Sequence, residues 1–135
     1  MNFNQIKSII DKHDKIFISS HINPDGDSIG SAYAMYKYLD SIGKDCIIVN
    51  HSRIPEIYNF LNEDKIFQEL DGDSAAFIKK ADLGLILDIG DFYRLGDIAY
   101  LVEENEIETL SIDHHVKSDN DLFKDEYIDL KASSV

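Results

Sequence analysis

Residues 83–89, Leu83-Gly84-Leu85-Ile86-Leu87-Asp88-Ile89, run apolar with no alternation until an acid interrupts them. A strand with one wet face alternates apolar and polar side chains. An unbroken apolar run of this length fits a central strand covered on both faces. Such cover comes from crossover helices, and crossovers join parallel strands. The rest of the chain alternates accordingly. Phe3, Ile6, Ile10 and His13 follow helical spacing and predict an opening helix. Residues 15–20 read as a first strand. Ile29, Ala32, Tyr33, Tyr36 and Leu39 form a helical stripe that stops at Gly43, and residues 46–50 form a second strand. A helix over 54–61 accepts Pro55 in its first turn, and a short helix over 74–80 leads to the apolar run. Beyond it lie a helix over 95–104, a strand over 107–112, a polar loop over 117–124 and the start of a strand in 127–130.

The expected fold class is therefore α/β: a mostly parallel, Rossmann-like sheet with helices on both faces. No repeat, low-complexity tract or linker divides the chain, and 135 residues make one ordinary domain. With 44% hydrophobic residues that length can bury a core. A formal charge of -13, from 26 acidic residues against 13 Lys+Arg, argues against a broad basic nucleic-acid-binding face. It leaves room for a nucleotide approached through bound cations. Cys46 is the only cysteine, so no internal disulfide forms, and its strand setting predicts a packed thiol. Residues 1–5 lack the basic and apolar regions of a leader, and no apolar run nears the roughly 20 residues of a membrane span. The expectation is a cytoplasmic protein without a membrane partner.

Ligands of parallel sheets bind outside the carboxyl ends of the strands. Three acid/histidine clusters fall at such ends: His21-Ile22-Asn23-Pro24-Asp25-Gly26-Asp27, then Asp88-Ile89-Gly90-Asp91, then Asp113-His114-His115. In the first, Gly26 permits a sharp turn that lets Asp25 and Asp27 face different ions, with His21 offering an imidazole. The alternative is an ordinary Asn-Pro-Asp-Gly turn with Asp27 or Ser28 capping a helix. Gly30, one turn on, would let a phosphate approach closely. In the second, Asp88 would be costly to bury unless paired, hydrogen-bonded or bound to metal. It either pairs with Arg94 or bridges two ions while Arg94 meets a substrate phosphate. In the third, His114 is the expected ligand. His115 orients a ligand or touches substrate. Mixed nitrogen and oxygen donors suit a pair of divalent cations. Two carboxylates 4 Å apart repel by about 4 kcal/mol at an effective dielectric near 20, so converging acids call for such cations.

The same residues resemble the DHH phosphoesterase family, whose name is the motif found here as Asp113-His114-His115. Its first motif is similar to His21-Ile22-Asn23-Pro24-Asp25-Gly26-Asp27-Ser28-Ile29-Gly30-Ser31. Its second is similar to Leu87-Asp88-Ile89-Gly90-Asp91, continuing into Arg94-Leu95-Gly96. The resemblance, strongest to the nanoRNase and pAp-phosphatase branch, implies a manganese-dependent hydrolase of short oligoribonucleotides, linear dinucleotides or pAp. One Mn²⁺ would be held by His21, Asp25 and Asp88, a second by Asp27, Asp88 and His114, with Mg²⁺ or Co²⁺ as substitutes. The resemblance also implies Asp88, His114 and His115 as catalytic residues. Arg94 and Gly30 would bind substrate, and Asp113, Asn23 and Asp91 would support the ligands. A family pyrophosphatase or exopolyphosphatase is the alternative, and a non-catalytic metal- or nucleotide-binding module is a third reading. The family carries a further Asp motif and a substrate-binding domain beyond the third motif. Residues 1–135 are therefore expected to be a single, incomplete catalytic domain with little activity alone. A truncated sheet edge is expected to favour self-association.

Overall fold

Leu83–Leu87 does become a fully buried central strand, because both its faces are roofed by helices. The computed structural model describes residues 1–120 and 122–135. The strands are β1 (Lys15–Ser19), β2 (Asp45–Asn50), β3 (Phe67–Glu69), β4 (Leu83–Leu87), β5 (Thr109–Asp113) and β6 (Asp125–Ile128). They form one sheet in the order β3-β2-β1-β4-β5-β6, with every pairing parallel. This is the doubly wound order, and its switch point lies between β1 and β4.

Four helices cover the sheet: α1 (Phe3–Asp11), α2 (Gly26–Ser41), α3 (Gly72–Lys80) and α4 (Asp97–Glu104). The two-residue period of each strand divides the core. Ile16 and Ile18 of β1, with Leu83, Leu85 and Leu87 of β4, pack with Ile6 and Ile10 of α1 and Ile29, Ala32 and Leu39 of α2. Phe17 and Ile86 point the other way, onto Ile78 of α3 and Ile98, Ala99 and Val102 of α4. The tip of the Phe17 ring sits over Gly84, where a Cβ would come within 2.6 Å of its Cζ. That glycine explains why the apolar run tolerates a gap.

Several boundaries differ from the sequence expectation. Residues 56–61 form a 3₁₀ segment, Glu56–Leu61, with no buried residue and no side-chain cap, so nothing rewards a full α-helix. β3 was not anticipated, since three residues are too few to show a period. Residues 92–95 are a second 3₁₀ segment, Phe92–Leu95, parted from α4 by Gly96 at φ 66. β4 stops at Leu87 because Asp88 adopts φ 59, outside the strand region. The polar loop expected over 117–124 spans residue 121, outside the described residues. Both sheet edges are blunted. β3 is short, and β6 begins Asp125-Glu126, a composition that opposes pairing with another copy. Among the described residues no helix is long and apolar enough to cross a membrane.

Candidate metal centre

The register levels three strand ends at the switch point. Ser19 pairs with Ile86, and Leu87 with Ile112. The residues that follow β1, β4 and β5 therefore leave the sheet side by side. After β1, a buried polar lattice anchors the turn. Asn50 accepts hydrogen bonds from Ser19 Oγ and Ser20 N, and its Nδ2 donates to Ser20 Oγ. The Ile22 N–H donates to the Arg94 carbonyl at 2.7 Å and the Asn23 N–H to Ser52 Oγ at 3.2 Å. Asn23 itself takes φ 53, a region asparagine tolerates. Asp25 then caps α2 by accepting from the Ser28 N–H at 3.1 Å. The cap is Asp25, not Asp27 or Ser28, so the first acid serves the helix and the site together.

The centre divides at Asp88, which is 2% exposed. Its Oδ2 accepts from Ser28 Oγ at 2.7 Å and lies 3.7 Å from His21 Nε2. His21 Nε2 is also 3.7 Å from Asp25 Oδ2. The opposite oxygen, Oδ1, lies 3.3 Å from His114 Nε2 and 3.6 Å from His115 Nδ1. His114 Nε2 is 3.3 Å from Asp27 Oδ2. One carboxylate thus addresses His21 and Asp25 on one side, His114 and Asp27 on the other. Ligand atoms of His21, Asp25 and Asp88 all lie within 4.8 Å of one another, as do those of Asp88, Asp113, His114 and His115.

The His21 and His114 imidazoles are both oriented through Nδ1. His21 Nδ1 sits 2.7 Å from the Ile22 carbonyl and His114 Nδ1 3.2 Å from the Ala132 carbonyl. A carbonyl only accepts, so each Nδ1 carries the proton and each Nε2 presents a lone pair to the centre. The charge balance also fits a cation. Among the described residues, Asp88 Oδ1 and Asp113 Oδ2 are buried without a hydrogen-bond partner. Burial first, then the neighbouring Asp27 and Asp25 charges, push the Asp88 carboxyl above its usual range despite the Ser28 bond. Burial alone would pull His114 down, but the Ala132 carbonyl and the charges of Asp88, Asp27 and Asp113 hold it above the usual histidine value. Asp25 runs opposite to its own burial: bonds from the Ser28 N–H and hydroxyl and the nearby His21 keep it low. Crowded acids around an orphaned oxygen are the donor set a divalent cation satisfies.

His21, Asp25, Asp27, Asp88 and His114 are all brought together. Asp113 supports His115, its Oδ1 lying 2.7 Å from His115 Nδ1, rather than the expected ligand His114. Asn23 acts through its backbone. Asp91 caps the Phe92–Leu95 segment and accepts from Asn120, away from the ligands. Arg94 is exposed in that segment and, among the described residues, forms no ion pair with Asp88. Gly30 is exposed, and a Cβ there would meet nothing within 4 Å. With Gly26, Asp27, Ser31, Ala34, Ser134 and Val135 it lines an open cavity of about 510 Å³. Sequence reasoning missed the role of Ser28. Its hydroxyl lies 2.8 Å from His21 Nε2 and 3.2 Å from Asp25 Oδ1, besides its bond to Asp88. The Asp25-x-x-Ser28 spacing signals a cap, not this hub.

The sequence profile of the DHH family, N-terminal domain, matches residues 15–135. No curated protein matches the chain. Among solved structures it is similar to an exopolyphosphatase-related protein from Bacteroides fragilis, with 26% identity and a TM-score of 0.86. The match covers 97% of this chain and 39% of that one.

Proposed function

The chain belongs to the DHH family, and on that premise we propose that its carboxyl-edge centre hydrolyses phosphoester or phosphoanhydride bonds with two divalent cations. The split environment of Asp88 carries this reading: each carboxylate oxygen faces a separate histidine and a separate acid. His21, Asp25 and Asp88 Oδ2 would hold one cation; Asp27, Asp88 Oδ1 and His114 would hold the other. When bound, the pair supplies Lewis acidity, an activated water and neutralisation of charge on the phosphoryl oxygens. Manganese suits the mixed imidazole and carboxylate donors, with Mg²⁺ or Co²⁺ as substitutes.

The chain's own residues do the rest. His21 and His114 hold their protons on Nδ1 and keep Nε2 free. Asp113 Oδ1 accepts a hydrogen bond from the His115 Nδ1–H; in its imidazolium form that half-exposed ring would carry a second proton on Nε2 and give it to a leaving oxygen, ending as the neutral Nδ1–H imidazole. Arg94, exposed on the same rim, would pair with a substrate phosphate.

The proposed substrates are short oligoribonucleotides, linear dinucleotides or pAp, supported by the Gly26, Gly30 and Arg94-Leu95-Gly96 context. Inorganic pyrophosphate or polyphosphate is the second reading, supported by the exopolyphosphatase-related description of the structural neighbour. The test supplies the full-length protein with Mn²⁺ and compares product release from a dinucleotide, pAp, pyrophosphate and polyphosphate. Faster turnover of pyrophosphate or polyphosphate selects the second reading, and silence on all four with metal present sinks both.

A further inference from the structure

Tyr58 stands in the 3₁₀ segment Glu56–Leu61, beyond the carboxyl end of β2, and leans across the start of α2. Its half-buried ring packs against the core cluster beneath α2. Its hydroxyl reaches Gly26, the residue between the two acids Asp25 and Asp27. A Cβ built on Gly26 would lie 2.9 Å from the Tyr58 hydroxyl oxygen, closer than real Cβ contacts come. The next ring atoms stand at 3.6 and 3.8 Å, ordinary contact distances. Gly26 is not at positive φ, so its backbone does not require glycine. The hydroxyl is the atom a side chain at position 26 would meet first, and it would have to move aside for one.

Among the described residues no protein group bonds that hydroxyl, and it is open to solvent rather than sealed in the core. A phenylalanine would pack the ring as well without the oxygen. The chain thus carries glycine in the first turn of a helix, where alanine is the better helix former, with a phenol oxygen seated over it. That oxygen stands beside the residue that separates Asp25 from Asp27, and its O–H is open to a group that arrives from outside. A phenol offers one donor, and a phosphoryl oxygen accepts only.

We propose that Tyr58 is a substrate-binding residue, whose O–H donates to a non-bridging phosphoryl oxygen of the phosphate held at the metal centre. This rests on the metal-centre reading above. Hydrogen bonding balances simply: the phenol keeps its proton and no bond is broken. Gly26 serves as the gap through which the hydroxyl reaches the phosphate.

The test titrates the chain with Mn²⁺ by calorimetry, then the Mn²⁺-loaded chain with AMP and with orthophosphate. Tyr58→Phe should bind Mn²⁺ like the wild type and keep its melting temperature, while AMP and orthophosphate bind about fivefold more weakly, the loss of one hydrogen bond. Equal affinity within twofold overturns the proposal. Wild-type chain that holds Mn²⁺ but neither anion also overturns it, and leaves the metal reading standing. Absence of Mn²⁺ binding removes both. Gly26→Ala provides a second route should Tyr58→Phe fold poorly. It should displace the hydroxyl and weaken the anions comparably. In the double variant the alanine should add no further loss, because the nearest remaining ring carbon is at 3.6 Å. Additive losses from the two substitutions contradict the shared cause.

Discussion

Replacing Asp88 with asparagine should make the metal-free chain more stable and the metal-loaded chain less so. Asp88 is 2% exposed, and among the described residues no donor bonds its Oδ1. Leaving a buried acceptor unmet costs about 1–3 kcal/mol, more when it is charged. Asparagine removes the charge, can still accept from Ser28 Oγ, and tolerates φ 59 as well as aspartate does. It can also donate to the His114 Nε2 lone pair now 3.3 Å from the Asp88 carboxylate. We expect Asp88→Asn to gain about 1–2 kcal/mol at pH 8 in EDTA. For a domain of this size that raises Tm by about 3–8 °C. In excess Mn²⁺ the wild type should rise through linkage while the variant does not, so the two melting curves change order. Burial holds the Asp88 carboxyl above its usual value, and the folded chain therefore binds that proton more tightly than the unfolded one. The variant's advantage should vanish below pH of about 3.9, where both states are protonated, and open as pH rises through the folded value. Differential scanning fluorimetry across pH, with and without Mn²⁺, reads all of this. A variant less stable than wild type in EDTA, or raised by Mn²⁺ as much, would refute the reasoning.

Three other outcomes follow from the same geometry. Because neighbouring carboxylates and the Ala132 carbonyl hold His114 above its usual value, Mn²⁺ binding near pH 6.5 should displace a proton. Calorimetry in buffers of different ionisation enthalpy should show this release fading by pH 9; a heat that ignores the buffer contradicts it. Gly90→Ala should lose about 1–2 kcal/mol in urea unfolding, since its Cβ would sit 3.2 Å from both His115 Cβ and the Val116 carbonyl oxygen; an unchanged midpoint means the loop after β5 yields freely. Burial, then Asp40 and Asp45, push the Cys46 thiol up to about 11. Iodoacetamide at pH 8 should therefore alkylate it about two orders of magnitude more slowly than a free thiol, and a rate like that of glutathione would exclude the shift.

How much of this was legible depended on how far apart in the chain each interaction runs. The unbroken run through Leu83 and Leu87 announced a strand with two covered faces, and hence a parallel sheet with aligned carboxyl ends. From that inference alone His21, Asp88 and His114 had to meet. β3 was hidden by its length, since it owes its strand state to pairing with β2 rather than to its own pattern. Ser28 shows the other limit. Its cap to Asp25 is a local rule, but its bond to Asp88 spans 60 residues and depends on the register of β1 against β4. The Asp113–His115 contact is local, two residues apart, but a strand end leaves open which histidine the acid meets; here Asp113 takes His115 while the Ala132 carbonyl takes His114, a contact 18 residues away in the chain.

The charge on the chain bears on the order of events at the centre. A formal charge of -13 would repel a phosphate at long range. Ionic strength near 0.1 M screens charges beyond about 10 Å, so acids at the far sheet edge, such as Asp14 and Asp45, count for little. What an arriving anion meets is Asp25, Asp27, Asp88 and Asp113, a local charge of about -4 when all are ionised. On the metal-centre reading two divalent cations would cancel this, and only then would a phosphate approach Arg94 and the Tyr58 hydroxyl without net repulsion. That reading puts metal before substrate. The raised carboxyl of Asp88 and its partnerless oxygen are the metal-free cost of that order. An arrangement that satisfied Asp88 internally would stabilise the empty chain and leave less reason for a cation to bind. The strain sits in the one side chain that both halves of the centre share.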